Sequence, residues 1–159
     1  MTGPHRDEEP AEHRRFAGYL LALEVVAEAD EADLVASVLC DRDAAMADSA
    51  VGRHVDRRAA MLLTDPRFTA WAQAMTEVIG ERGFLTRRLR EWSLLRSLAL
   101  GEPWAAEDVT GASDWCQRMV AATEAVTAPD ALGLLGARGR TRRVRNAANR
   151  RLQQLQQPS

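Results

Sequence analysis

Lysine is missing from this chain: all 21 basic residues are arginine. With the abundant alanine, that absence is the codon signature expected of a GC-rich bacterial genome, and it reflects codon usage before function. Cysteine is scarce. Cys40 and Cys116 have neither CxxC spacing nor a nearby histidine pair, which predicts two reduced thiols rather than a disulfide or a metal site. No apolar run approaches the roughly 20 residues a membrane span needs. The opening MTGPHRDEEPAEHRR is too acidic and polar for a secretory signal. The expectation is a cytoplasmic protein with no membrane partner. The motifs of familiar chemistries are absent as well: no GxGxxG, no GKS or GKT loop, no HExxH and no GxSxG. His5, His13 and His54 are the only histidines, and none has a Glu three residues before it, as a helical di-iron site requires. No catalytic residue, cofactor or metal is expected on these grounds.

What is present is an ordinary globular composition. At 159 residues, 46% hydrophobic and 28% charged, the chain suits one domain with a sizeable core. A single all-helical domain is expected over residues 11–155, after a flexible N-terminus of residues 1–10 and before a frayed tail of residues 156–159. The net charge of −2 hides an asymmetry: residues 1–65 carry 14 acidic side chains and 7 Arg, whereas residues 131–159 carry 7 Arg and no acid. Such a split marks either a surface for nucleic acid or an acidic partner, or one half of the molecule facing the other.

Apolar residues recur at three and four and nowhere alternate for long, which is helical patterning. Phe16, Tyr19, Leu20, Leu23 and Val26 stripe a first helix. Asp30, with Asp33 after it, is placed to cap a second, and Asp48 a third that carries Val51, Val55 and Leu62. TDPRF places Asp65 as N-cap and Pro66 at the first position of the next helix. A long helix over residues 84–100 closes at Gly101. GEPWAAEDVTGASD then reads as the one extended loop, with Ser113 or Asp114 capping the following helix. Pro129 and Asp130 open a short helix ending near Gly136, and Thr141 opens the last.

One hexapeptide recurs where helices turn into each other: VLCDRD at residues 38–43, VIGERG at 78–83 and LLGARG at 134–139. The first two copies are 40 residues apart and the last two 56 apart, with the loop around Pro103 as the home of the surplus. The last copy lies within ALGLLGARGRTRRVRNAANRRL, where Leu134 and Leu135, Val144 and Arg145, Ala148 and Leu152 supply an aliphatic pair, a turn, then Val-Arg, Ala and Leu. This stretch, residues 131–152, resembles a HEAT repeat, whose period is about 40–47 residues. In the HEAT pattern an Asp in the turn and an Arg opening the second helix hydrogen-bond along the stack. Asp41 matches that Asp, with Ala47 at the place of the Arg; Arg145 matches the Arg, with Ala137 at the place of the Asp. The resemblance implies antiparallel helical hairpins stacked side by side, with Arg42, Arg82 and Arg138 at turns along one edge. The alternative is an irregular helical bundle, and both are all-α.

Four features compete for function. His54 lies at the edge of an apolar stripe, where a satisfied core histidine is the expectation. The acidic run EADEAD, residues 28–33, suits a helix start. On the long helix Arg88 and Arg96 lie four residues either side of Trp92, on the face of Leu85 and Leu89. This Arg-Trp-Arg ridge is either a partner-binding surface or a buried ion-pair network. On the last helix Arg142, Arg143, Arg145 and Arg150 spread over an outer face that could track phosphates. The functional expectation is a non-catalytic scaffold of HEAT-like repeats that recognises a protein or peptide. The alternatives are a nucleic-acid-binding module using the C-terminal Arg face and a small helical enzyme of a biosynthetic pathway.

Overall fold

A computed structural model describes residues 10–158. Residues 1–9 and 159 lie outside it, and with them His5 and most of the expected flexible N-terminus. Within the described residues all regular structure is helical: α1 (Ala11–Val25), a 3-10 turn (Glu28–Asp30), α2 (Glu31–Leu39), α3 (Ala44–Leu62), α4 (Phe68–Ile79), α5 (Gly83–Leu100), α6 (Ala106–Thr110), α7 (Asp114–Ala122), α8 (Pro129–Arg138) and α9 (Arg142–Gln156). The protein is all-α, as its periodicity predicts.

Local chemistry sets most of the boundaries. Ser113 and Thr141 cap α7 and α9, accepting the backbone N–H of Cys116 and Val144 at 3.1 Å each. Gly101 closes α5 in the left-handed region, φ 68°, which costs a side-chain-bearing residue more than glycine. Three expectations need correction. Asp43, not Asp48, caps α3 by accepting the Met46 N–H at 3.1 Å, and Asp48 instead accepts from Arg82 at 2.6 Å. The Asp30 side chain makes no capping bond to α2. Asp65 accepts the Arg67 N–H at 2.8 Å in a turn, so α4 opens at Phe68 and Pro66 precedes it.

Helices pack both on the next in sequence, most extensively α8 on α9 and also α2 on α3 and α4 on α5, and on the next but one. α1, α3, α5, α7 and α9 form one layer in which each packs on its neighbour, while α2 packs on α4 and α6 on α8 in the other. Comparable packing of α4 on α6, or of α6 on α5, is missing among the described residues. The buried core runs along the whole stack, from Leu23 in α1 to Ala148 in α9. The surplus between the second and third hexapeptides is therefore not all loop: residues 106–110 form α6, while 101–105 and 111–113 stay non-helical. It holds α6 and α7, a further helix pair, folded together by the buried Gln117 amide, which donates to the Val109 and Thr110 carbonyls at 3.0 and 3.2 Å.

Arginines tie successive units. Arg57 of α3 donates to the Leu23 carbonyl at the end of α1, at 3.1 Å. Arg96 of α5 donates to the carbonyls of Leu63 and Asp65 beyond the end of α3, at 2.7 and 2.8 Å. Arg151 of α9 donates to Thr123 and Val126 beyond the end of α7, at 3.1 and 2.9 Å. Helix C-termini leave carbonyls without intrahelical donors and carry partial negative charge, so a guanidinium satisfies both. On the opposite side, Arg82 joins its own turn to the preceding one through the Leu39 carbonyl at 2.6 Å. Arg140 does the same for the α6–α7 turn through Ala112 at 2.6 Å. Arg42 and Arg138 are exposed at their turns. The residues that match the HEAT pattern bond elsewhere than in an Asp–Arg ladder: Asp41 accepts from Tyr19 and Arg15 of α1 at 2.6 and 3.2 Å, and Arg145 donates to Gly139 in its own turn at 2.8 Å.

Candidate functional site

The ridge expected on α5 has its side chains turned to internal partners. Trp92 is buried, and its indole N–H donates to Asp56 of α3 at 2.8 Å. Besides its two carbonyls, Arg96 lies over the Phe68 ring, 5.0 Å from the centroid. The Arg88 guanidinium stacks on Trp115 of α7 at 3.6 Å and on Phe84 at 5.2 Å, with its Nε 3.7 Å from Asp56. Trp115 in turn meets Trp92 edge-on at 5.5 Å. Trp92 is buried and Arg88 and Arg96 are half-buried, and together they join α3, α5 and α7; Arg88 reaches a carboxylate, whereas Arg96 is held by carbonyls and an aromatic ring rather than by an ion pair. They do not form an open ridge.

A second buried cluster lies between α2, α3 and α4. The Glu31 carboxylate accepts from His54 Nε2 at 2.6 Å, Arg58 Nε at 3.0 Å and Trp71 Nε1 at 3.0 Å. Burial by itself would raise its pKa, but the hydrogen bonds from His54, Arg58 and Trp71 outweigh that and hold it at about 2. His54 Nδ1 sits 3.1 Å from Arg57 Nη2. A guanidinium can only donate, so that ring nitrogen accepts and the proton lies on Nε2, facing Glu31. His54 is the satisfied core histidine its position predicts. Glu31, counted in the sequence as part of an acidic helix start, is instead the centre of the network. Its spacing from Leu34, Val35 and Val38 was the available signal.

A cleft of about 700 Å³ opens between α5 and residues 103–114. It lies where α6 is not packed on α4 or α5. Arg87, Arg90, Leu94 and Ser97 of α5 form one wall; Pro103, Trp104, Glu107 and Asp108 form the other. Among the described residues Arg87, Arg90, Glu107 and Asp108 make no ion pair. The floor is fixed by hydrogen bonds: the buried Glu91 carboxylate accepts both the backbone N–H and the hydroxyl of Ser113, at 2.7 Å each. At one end the Arg140 backbone N–H donates to Gln117 at 2.9 Å. Cys116 sits beneath this floor, where burial and the neighbouring Glu91 carboxylate push its thiol pKa up, away from the thiolate that reacts. Sequence patterning does not reveal this cleft, because the five residues of α6 in its far wall are too few to display a helical period.

On α9, Arg142, Arg143 and Arg150 are exposed beside Asn146, Asn149 and Gln153, whereas Arg145 is half-buried against Gly139. Three of the four expected phosphate contacts thus reach solvent. No described helix is long and apolar enough to cross a membrane, and no three His, Cys, Asp or Glu side chains converge as a metal cage among the described residues. No family model, curated protein or solved structure matches the chain.

Proposed function

We propose that the chain is a non-catalytic, HEAT-like binding protein of a bacterial cytoplasm, and that it takes a protein or peptide segment in the cleft between α5 and α6. The cleft wall carries this reading. Two arginines and two carboxylates, none paired within the described chain, face one another across the apolar surfaces of Leu94 and Trp104. A segment with an apolar anchor flanked by charges of both signs would satisfy all of them, and stacked helices present such a groove on a rigid frame. Trp and Arg are also the side chains most often carrying binding energy at interfaces.

Panning a displayed peptide library on the full chain tests this. The expected selection is a peptide with an aliphatic or aromatic anchor between acidic and basic residues. Its affinity should fall about tenfold or more with Trp104→Ala, which also removes packing against the core, or with Arg87→Glu and Arg90→Glu together, while the melting temperature of the exposed Arg87/Arg90 variant holds. Peptides that bind these variants as well as the parent would sink the reading.

The exposed, acid-free face of α9 favours one second reading, nucleic-acid binding through Arg142, Arg143 and Arg150. Three phosphate contacts imply a log–log salt slope of about −3 on duplex DNA, and its absence at low salt dismisses that role.

A further inference from the structure

We propose that the chain pairs with a second copy of itself through the outer face of α1, an interface separate from the cleft. α1 is the end helix of its layer and buries one side, through Leu23, against α2 and α3. Directly opposite, Arg14, Gly18, Leu21 and Val25 fall on one line, because residues three and four apart share a helix face. Leu21 is 65% and Val25 81% exposed. The other end of the stack differs. The outward side chains of α9 include Arg142, Arg143, Asn146 and Arg150, all exposed and polar. Terminal helices of stacked arrays need a polar outer face to stay soluble; α9 has one and α1 does not.

The pattern on α1 is self-complementary. In a two-fold contact, residue i of one copy meets residue j of the other and j meets i. Antiparallel pairing of two α1 helices that places Gly18 against Leu21 of the second copy also sets Arg14 across from Val25 and Glu24. The Arg14 stem then covers Val25 while its guanidinium reaches the Glu24 carboxylate. The symmetry makes this ion pair twice. Arg14 and Glu24 are both exposed, and neither has an ion-pair partner among the described residues. At Gly18 the chain leaves open space where a side chain would stand, so a partner helix can approach closely there. A helix of 15 residues is about 22 Å long, and an interface of that size falls below about 1,200 Å², in the range of weak association. The expected dimer therefore assembles at micromolar concentration.

Sedimentation velocity on the full chain over the micromolar range tests the pairing. Val25→Asp should raise the dimer dissociation constant more than about tenfold, since the two-fold buries the new charge twice. Its melting temperature should be unchanged, because Val25 touches little of its own chain. Arg14→Glu should weaken the dimer, and Arg14→Glu with Glu24→Arg should restore it. A chain that stays monomeric through the high micromolar range overturns the proposal. So does a dimer indifferent to Val25→Asp, or one that the charge exchange fails to restore. Because none of these residues lines the cleft, peptide binding stands or falls independently.

Discussion

At the scale of single residues, arginine does here what lysine could not do as well. Arg57, Arg96 and Arg151 each place a guanidinium against carbonyls at the end of the preceding helix of their layer. A planar fork serves several acceptors at once, whereas an ammonium is a point charge on a flexible stem. Arg96→Ala is therefore expected to lower stability by about 2 kcal/mol, through carbonyls left without their donor, with Arg96→Lys recovering part of the loss; equilibrium urea unfolding measures both. Unchanged stability in Arg96→Ala would return that side chain to the binding surface. Glu31 makes a sharper case. Its folded pKa of about 2 lies below the ordinary 4.5, so it contributes stability that is complete above the unfolded pKa and is lost as pH falls toward the folded one. Asp41, held at about 2 mainly by the hydrogen bond from Tyr19, acts in the same direction. The urea midpoint should drop between pH 4.5 and 2, and Glu31→Gln should flatten that drop. Glu31→Ala should cost about 3 kcal/mol near neutrality, because Arg58 and the Trp71 N–H keep their burial and lose their acceptor. An unchanged pH profile in Glu31→Gln would show that another group controls acid unfolding.

At the scale of elements, hydroxyl caps and the closing glycine of α5 were legible, the aspartate caps were not, and the short α6 was the least legible. Ser113 and Thr141 act as the caps that hydrogen-bonding side chains at those positions predict, and Thr141→Ala should cost about 1 kcal/mol. Asp43 took the capping role expected of Asp48 because Asp41 fixes its backbone N–H at 2.9 Å, an interaction that opens the helix well before the position that spacing suggests. Helix α6 spans only five residues, too few to display a helical period, so its AEDVT read as loop. The α8–α9 hairpin depends on glycine for a different reason than a special φ. A Cβ on Gly139 would lie 2.6 Å from the Leu135 carbonyl oxygen and 2.8 Å from Val144, both parts of the packed turn. Gly139→Ala should lower stability by about 2 kcal/mol by forcing that turn apart, read from the shift in urea midpoint. A midpoint within error of the parent would mean that the hairpin has slack.

At the scale of the whole molecule, one buried cluster runs from Leu23 to Ala148, and the proposed HEAT-like stacking implies that each helix depends chiefly on its neighbours. Stability in such arrays is the sum of intrinsic and nearest-neighbour terms, so the ends open before the middle. Amide hydrogen exchange should be slowest in α3 and α5, which are packed on both sides in their layer, and faster in α1 and α9. Uniform protection from α1 to α9 would instead mark a single cooperative bundle. Dimerisation through α1 would slow exchange there alone, with increasing protein concentration.

The sequence alone determined the all-helical class, the long α5, and most of the turns, because periodicity, glycine and capping side chains act over a few residues. It also showed that Arg88, Trp92 and Arg96 share a face. What that face meets was decided by the tertiary structure, since Asp56, Phe68, Trp115 and the carbonyls of Leu63 and Asp65 all come from other elements. The same holds for Glu31, whose partners His54, Arg58 and Trp71 lie 23 or more residues away. The cleft likewise exists only because α6 packs on α8 and leaves its α5 side open. Helical period records which side of each helix is apolar, and only packing selects which helix covers it.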